Sequence, residues 1–180
     1  EQGRELAYDN DTNGLNPHLG TLLVAGARTL EVGWADAPQR YTLAVERLEP
    51  EALAVDGVTE AIAENRLWQF DGQQNVYALV EVTPPESGNF VIARLVDSRG
   101  AQLAVGDNTS GIVPQLGALL RADGPYFVEL TGPGTVEPYT LSVLRTELGA
   151  ITAGALVEAR PDRRAWRYAG RAGSRLTINA

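Results

Sequence analysis

The residues whose types and spacing come closest to a recognisable chemistry are Asp9-Asn10-Asp11-Thr12-Asn13-Gly14. They fit the D-x-D-x-N-G opening of a calcium loop, in which oxygens at alternate positions converge on one hard cation. Asp9, Asp11 and Asn13 are the candidate ligands, and calcium is the one cofactor the sequence suggests without requiring it. The helix-flanked form of such a loop would need a bidentate Glu where Gly20 stands, and no helical pattern flanks the run. The other reading is a loop in which the Asp and Asn side chains satisfy their own backbone amides.

Other chemistry is scarce. The chain has no Cys and one His, His18, which removes thiolate chemistry and leaves little for an imidazole-based metal centre or triad. Its five Ser, at 87, 98, 110, 142 and 174, fall in turns or strands without a G-x-S-x-G elbow. Asp and Glu are abundant, but the distances that carboxylate-pair catalysis needs are not written in a sequence. The expectation is a non-catalytic protein.

With 180 residues, 44% hydrophobic and 21% charged, the composition is globular. The net charge of −8 argues against nucleic acid and anionic membranes as partners, and no apolar run reaches the length of a membrane span. The missing initiator Met suggests a mature or excised segment of a longer polypeptide with further domains. Residues 160–175 reverse the overall charge, with six Arg and one Asp. Arg163, Arg167, Arg171 and Arg175 could meet a sulfated glycan if they shared a face, but solvated strand edges carry such charge for their own protection.

An internal repeat organises the chain. LAYDNDTNGLNPHLGTLL at Leu6–Leu23 aligns with LAVGDNTSGIVPQLGALL at Leu103–Leu120, YTLAVER from Tyr41 with YTLSVLR from Tyr139, and NRLWQFDG from Asn65 with RRAWRYAG from Arg163. The offset is 97 in the first pair and 98 in the others. The carboxylates of Asp9 and Asp11 are lost in the second copy, where Gly106, Asn108 and Ser110 stand. Residues 1–48 read as the back half of one repeat, 49–146 as a complete repeat, and 147–180 as the front half of another, which could complete a sandwich with 1–48. The alternative is a permuted pairing of 1–48 with 49–82 and of 99–146 with 147–180.

Within the complete repeat, apolar and polar residues alternate in short runs, the period of half-buried strands. The strands expected are Val58–Ile62, Arg66–Asp71, Val76–Val82, Asn89–Asp97, Gln102–Val105, Ala118–Ala122, Tyr126–Thr131 and Pro138–Leu144. Turns are expected at Asp71-Gly72, Pro84-Pro85 with Ser87-Gly88, Arg99-Gly100, Asp123-Gly124-Pro125 and Gly132-Pro133-Gly134. Short strands with regular turns and no helices predict an all-β, antiparallel β-sandwich. Trp68 and Trp166, beside Phe70 and Tyr168, are placed between the sheets, because a core must recur from repeat to repeat while a stacking platform need not.

The ordered set RLWQFDG, FVIARLVDSRGAQLAV, the polar loop before LGALL, DGPYFVEL and PYTLSV resembles the bacterial pre-peptidase C-terminal domain. GARTLEV at Gly26–Val32 departs from that pattern by lacking the aromatic pair Tyr126-Phe127. The resemblance implies a jelly-roll-like sandwich in tandem repeats of about 97 residues. It also implies a non-catalytic accessory module of a secreted bacterial protein, extracellular, on the cell surface or periplasmic. Such a module sits beside a peptidase and binds extracellular protein or carbohydrate, or serves as a spacer. The alternative from a different class is a structural repeat subunit of a fibre or surface assembly, built by strand complementation between chains.

Overall fold

The computed structural model describes residues 42–45, 47–61, 66–83, 91–107, 113–131, 138–158, 165–173, 175 and 177–178. Eleven strands are present among them: β1 Glu51–Ala52, β2 Gly57–Ala61, β3 Leu67–Gly72, β4 Tyr77–Thr83, β5 Ile92–Asp97, β6 Gln102–Asp107, β7 Gln115–Leu119, β8 Gly124–Thr131, β9 Tyr139–Thr146, β10 Gly149–Ile151 and β11 Trp166–Tyr168. They form a five-stranded sheet in the order β1-β3-β8-β5-β6, a four-stranded sheet in the order β2-β9-β4-β7, and a two-stranded sheet β10-β11. The protein is all-β, and among the described residues the ladders are antiparallel apart from the short β1-β3 and β10-β11 pairs. Strands from the front of residues 49–146 pair with strands from the back of the same segment: β3 with β8, β2 with β9, β4 with β7 and β9.

Alternation selects the buried face of each strand. Trp68 and Phe70 from β3, Ala93 and Leu95 from β5, and Tyr126, Val128 and Leu130 from β8 face the core from one sheet. Ala78, Val80 and Val82 from β4, Leu116 and Ala118 from β7, and Tyr139, Leu141 and Val143 from β9 face it from the other. Phe70 stacks on Tyr126 with ring centroids 5.8 Å apart, a geometry that adds about 0.5–1.5 kcal/mol to plain burial. The Tyr126 hydroxyl also donates to the Ala122 carbonyl at 2.9 Å, tying the bend before β8 to the strand itself.

Three local expectations are corrected. The Asp71-Gly72 turn is not there: β3 runs through Gly72, and the chain reverses over Gln73–Val76, with the Val76 amide on the Gln73 carbonyl and Asn75 at φ 65°. Gly72 is needed in the strand because a Cβ there would overlap the Tyr126 ring and Leu120. The strand expected at Ala118–Ala122 lies instead at Gln115–Leu119, and β8 begins at Gly124, so Gly124-Pro125 belongs to the strand rather than the turn. The Arg99-Gly100 turn lies where expected, closed by the Gly100 amide on the Asp97 carbonyl at 2.9 Å. Burial pushes the Asp97 carboxyl up, but the amides of Ala101 and Arg99 and the Arg99 guanidinium outweigh it and hold it below the usual carboxylate range.

The small sheet has the geometry of β1 and β3 at later positions. Glu51 pairs with Trp68, and Gly149 pairs with Trp166, each parallel and each partner 98 positions on. Left-handed backbone occurs at Asp56 and Asn75, and again 98 positions later at Gly154 and Gly173. Trp166 is only half-buried, against 2% exposure for Trp68. The reason is that β11 has a single strand neighbour among the described residues, whereas β3 lies between β1 and β8.

Candidate functional site

The interior of the sandwich is committed to packing. A polar link joins the sheets where the Trp68 indole donates to the Tyr139 hydroxyl at 2.8 Å. Burial pushes the Tyr139 phenol up to about 12, although the Trp68 hydrogen bond works the other way. The platform reading of Trp68 would need an exposed ring, and its ring is enclosed.

The outer face of the four-stranded sheet is where side chains meet solvent in an organised array. Register places Thr146, Tyr77 and Leu119 side by side in one row, and Leu144, Leu79 and Gly117 in the next. A third row holds Val58, Ser142, Glu81 and Gln115, with the Gln115 amide donating to the Glu81 carboxylate at 2.7 Å. Tyr77 lies flat over β7 because Gly117 has no side chain: a Cβ there would overlap the Tyr77 hydroxyl and ring. Leu119, Leu144 and Val58 are exposed on this face. The result is an aromatic and aliphatic strip beside a row of hydrogen-bonding groups, an arrangement suited to a sugar ring or an extended peptide.

The face is flanked by one ion pair. The Arg145 side chain meets the Asp56 carboxylate at 2.6 and 2.9 Å, and the Arg145 amide donates to it at 2.9 Å. The backbone and side-chain hydrogen bonds from Arg145 hold the Asp56 carboxyl below the ordinary carboxylate range. Asp56 sits at φ 60°, a conformation that Asp and Asn tolerate better than other side chains.

Asp9, Asp11 and Asn13, the calcium candidates, lie outside the described residues, as does His18. Among the described residues no group of three or more His, Cys, Asp or Glu could hold a metal ion. Of the Arg cluster, Arg167, Arg171 and Arg175 are exposed, and Arg163 lies outside the described residues. The outer face was not singled out from the sequence, although a signal exists. Strands of a sandwich should read polar in their outward phase, yet Tyr77, Leu79, Leu119 and Leu144 are apolar or aromatic there.

No protein-family model matches the chain, and no curated protein matches it. Among solved structures, it is similar to the pre-peptidase C-terminal domain of a collagenase from Bacillus anthracis, at 16% sequence identity and a TM-score of 0.42. The similarity covers 54% of this chain and 99% of that one.

Proposed function

We propose that this chain is a non-catalytic accessory module of a secreted bacterial protein, placed beside another domain such as a peptidase, and that it engages an extracellular protein or carbohydrate through the outer face of the β2-β9-β4-β7 sheet. The observation that carries the reading is the strip on that face in which Leu119 and Leu144 are exposed and Tyr77 half-exposed, packed over the buried Leu79. Solvent-facing arrays of this kind mark interaction surfaces more often than isolated apolar residues do. The order of sequence motifs supports the same reading.

The test is sedimentation of the purified chain with insoluble fibrous protein and with insoluble polysaccharide, run beside a casein-hydrolysis assay. Retention by one matrix and no hydrolysis are expected. Hydrolysis by the purified chain overturns the non-catalytic reading, and retention by neither matrix reduces the module to a spacer.

The structural-assembly reading keeps one specific observation in its favour: Leu43, Val45 and Ile178 are exposed. Exposed apolar residues at matching places in two half-repeats are what strand complementation between chains would use.

A further inference from the structure

Three exposed apolar residues have counterparts at the centre of the closed core. Leu43 and Val45 stand 98 positions before Leu141 and Val143, and Ile178 stands 98 positions after Val80. Leu141, Val143 and Val80 are fully buried, whereas Leu43, Val45 and Ile178 are 54%, 85% and 80% exposed. Phe70 and Gly72 are buried, and their counterparts Tyr168 and Gly170 are half-buried and exposed. The two segments therefore carry the core residues of a sandwich without its enclosure.

The closed sandwich also supplies the register in which they would meet. Val80 of β4 lies directly opposite Val143 of β9, and transposed by 98 positions that pair is Ile178 opposite Val45. We infer that residues 42–45 and 177–178 of one chain pair in this antiparallel register, placing Val45 on Ile178 and covering the β10-β11 sheet. Complementary charge favours the match: residues 1–48 hold four Arg and seven acidic residues, and 147–180 hold six Arg and three.

The partner is the same chain rather than a second copy because both segments leave the closed sandwich at one place. Val55 bridges Val143, and Asp56 holds Arg145. Six residues lie between Leu48 and Val55, and 29 between Arg145 and Arg175. Tethers of this length hold the two segments at an effective concentration above that of free protein at micromolar concentration.

A chain without Cys allows a direct test on the full protein. The double variant Val45→Cys with Ile178→Cys, treated with a mild oxidant, should form a disulfide within one chain, seen as a faster-migrating monomer on non-reducing gels. The yield should be unchanged by about tenfold dilution. The register-shifted pair Val45→Cys with Thr177→Cys should react markedly more slowly, because its side chains lie on opposite faces of the ladder. Disulfide-linked dimers as the main product would overturn the inference in favour of complementation between copies. Equal rates for the two pairs, or two free thiols that never couple, would overturn it as well.

Discussion

The Trp68 indole of β3 and the Tyr139 hydroxyl of β9 meet at 2.8 Å, so the largest side chain of one sheet is fastened to the other sheet across the core. Burial alone would let Trp68 settle against any apolar neighbour. The hydrogen bond fixes which edge of the indole meets which strand, and so fixes how the sheets are set against each other. Trp68→Ala should cost about 3–5 kcal/mol, and Tyr139→Phe about 1–3 kcal/mol by leaving a buried N–H unpaired. Urea unfolding of both variants checks this. A loss near zero for Tyr139→Phe would mean that the indole finds another acceptor.

The same phenol gives a pH signature. Its pKa is pushed up to about 12 by burial, above the ordinary tyrosine value near 10. A raised acid of this kind adds stability that is complete below pH ~10 and is lost as pH rises towards 12. Ultraviolet titration of the folded chain should show a tyrosine ionisation step near pH 12. In Tyr139→Phe that late step should be missing.

At the other end of the pH scale, Asp56→Asn isolates the charge of the Arg145 pair, since Asn also tolerates the left-handed backbone. A carboxyl with a depressed folded pKa contributes stability above its unfolded value and loses it as pH falls through the folded one. Both partners are well exposed, so solvent screening limits the difference from wild type to about 0.2–1 kcal/mol near neutral pH. That difference should close below pH ~4. A gap that persists at pH 2 would assign the effect to backbone geometry instead.

Calcium, if it binds, should do so through Asp9, Asp11 and Asn13, and not at the aligned Gly106, Asn108 and Ser110. Calorimetric titration should then give a heat that Asp9→Ala or Asp11→Ala abolishes. No heat above dilution at roughly millimolar calcium, the weak end of such loops, would leave these side chains to their own backbone amides.

Much of the fold could be read from the sequence because period-2 alternation reports a half-buried strand directly. Trp68, Leu141 and Val143 are in the core as that alternation expects. Glycine was where the reading failed. Gly72 and Gly117 look like turn or break signals, yet both lie inside strands, where the missing side chains make room for Tyr126 and Tyr77. Nothing local distinguishes a glycine that bends a chain from one over which a distant ring lies. β1 and β10 were missed for a related reason: strands of two and three residues are too short to show a period. The outer-face strip required the register, since Tyr77, Leu119 and Leu144 become neighbours only once β4, β7 and β9 are aligned.

The binding claim stands or falls on that strip, and the most direct measurement compares wild type with Val58→Ser and Leu144→Ser in matrix sedimentation. Both side chains are exposed, so unfolding free energies from urea titration should stay within about 0.5 kcal/mol of wild type. Retention should fall severalfold in Leu144→Ser, which removes the exposed apolar side chain beside Leu79, and less in Val58→Ser, which lies in the polar row. Retention of both variants equal to wild type, at unchanged stability, would contradict the assignment of the β2-β9-β4-β7 face as the binding surface.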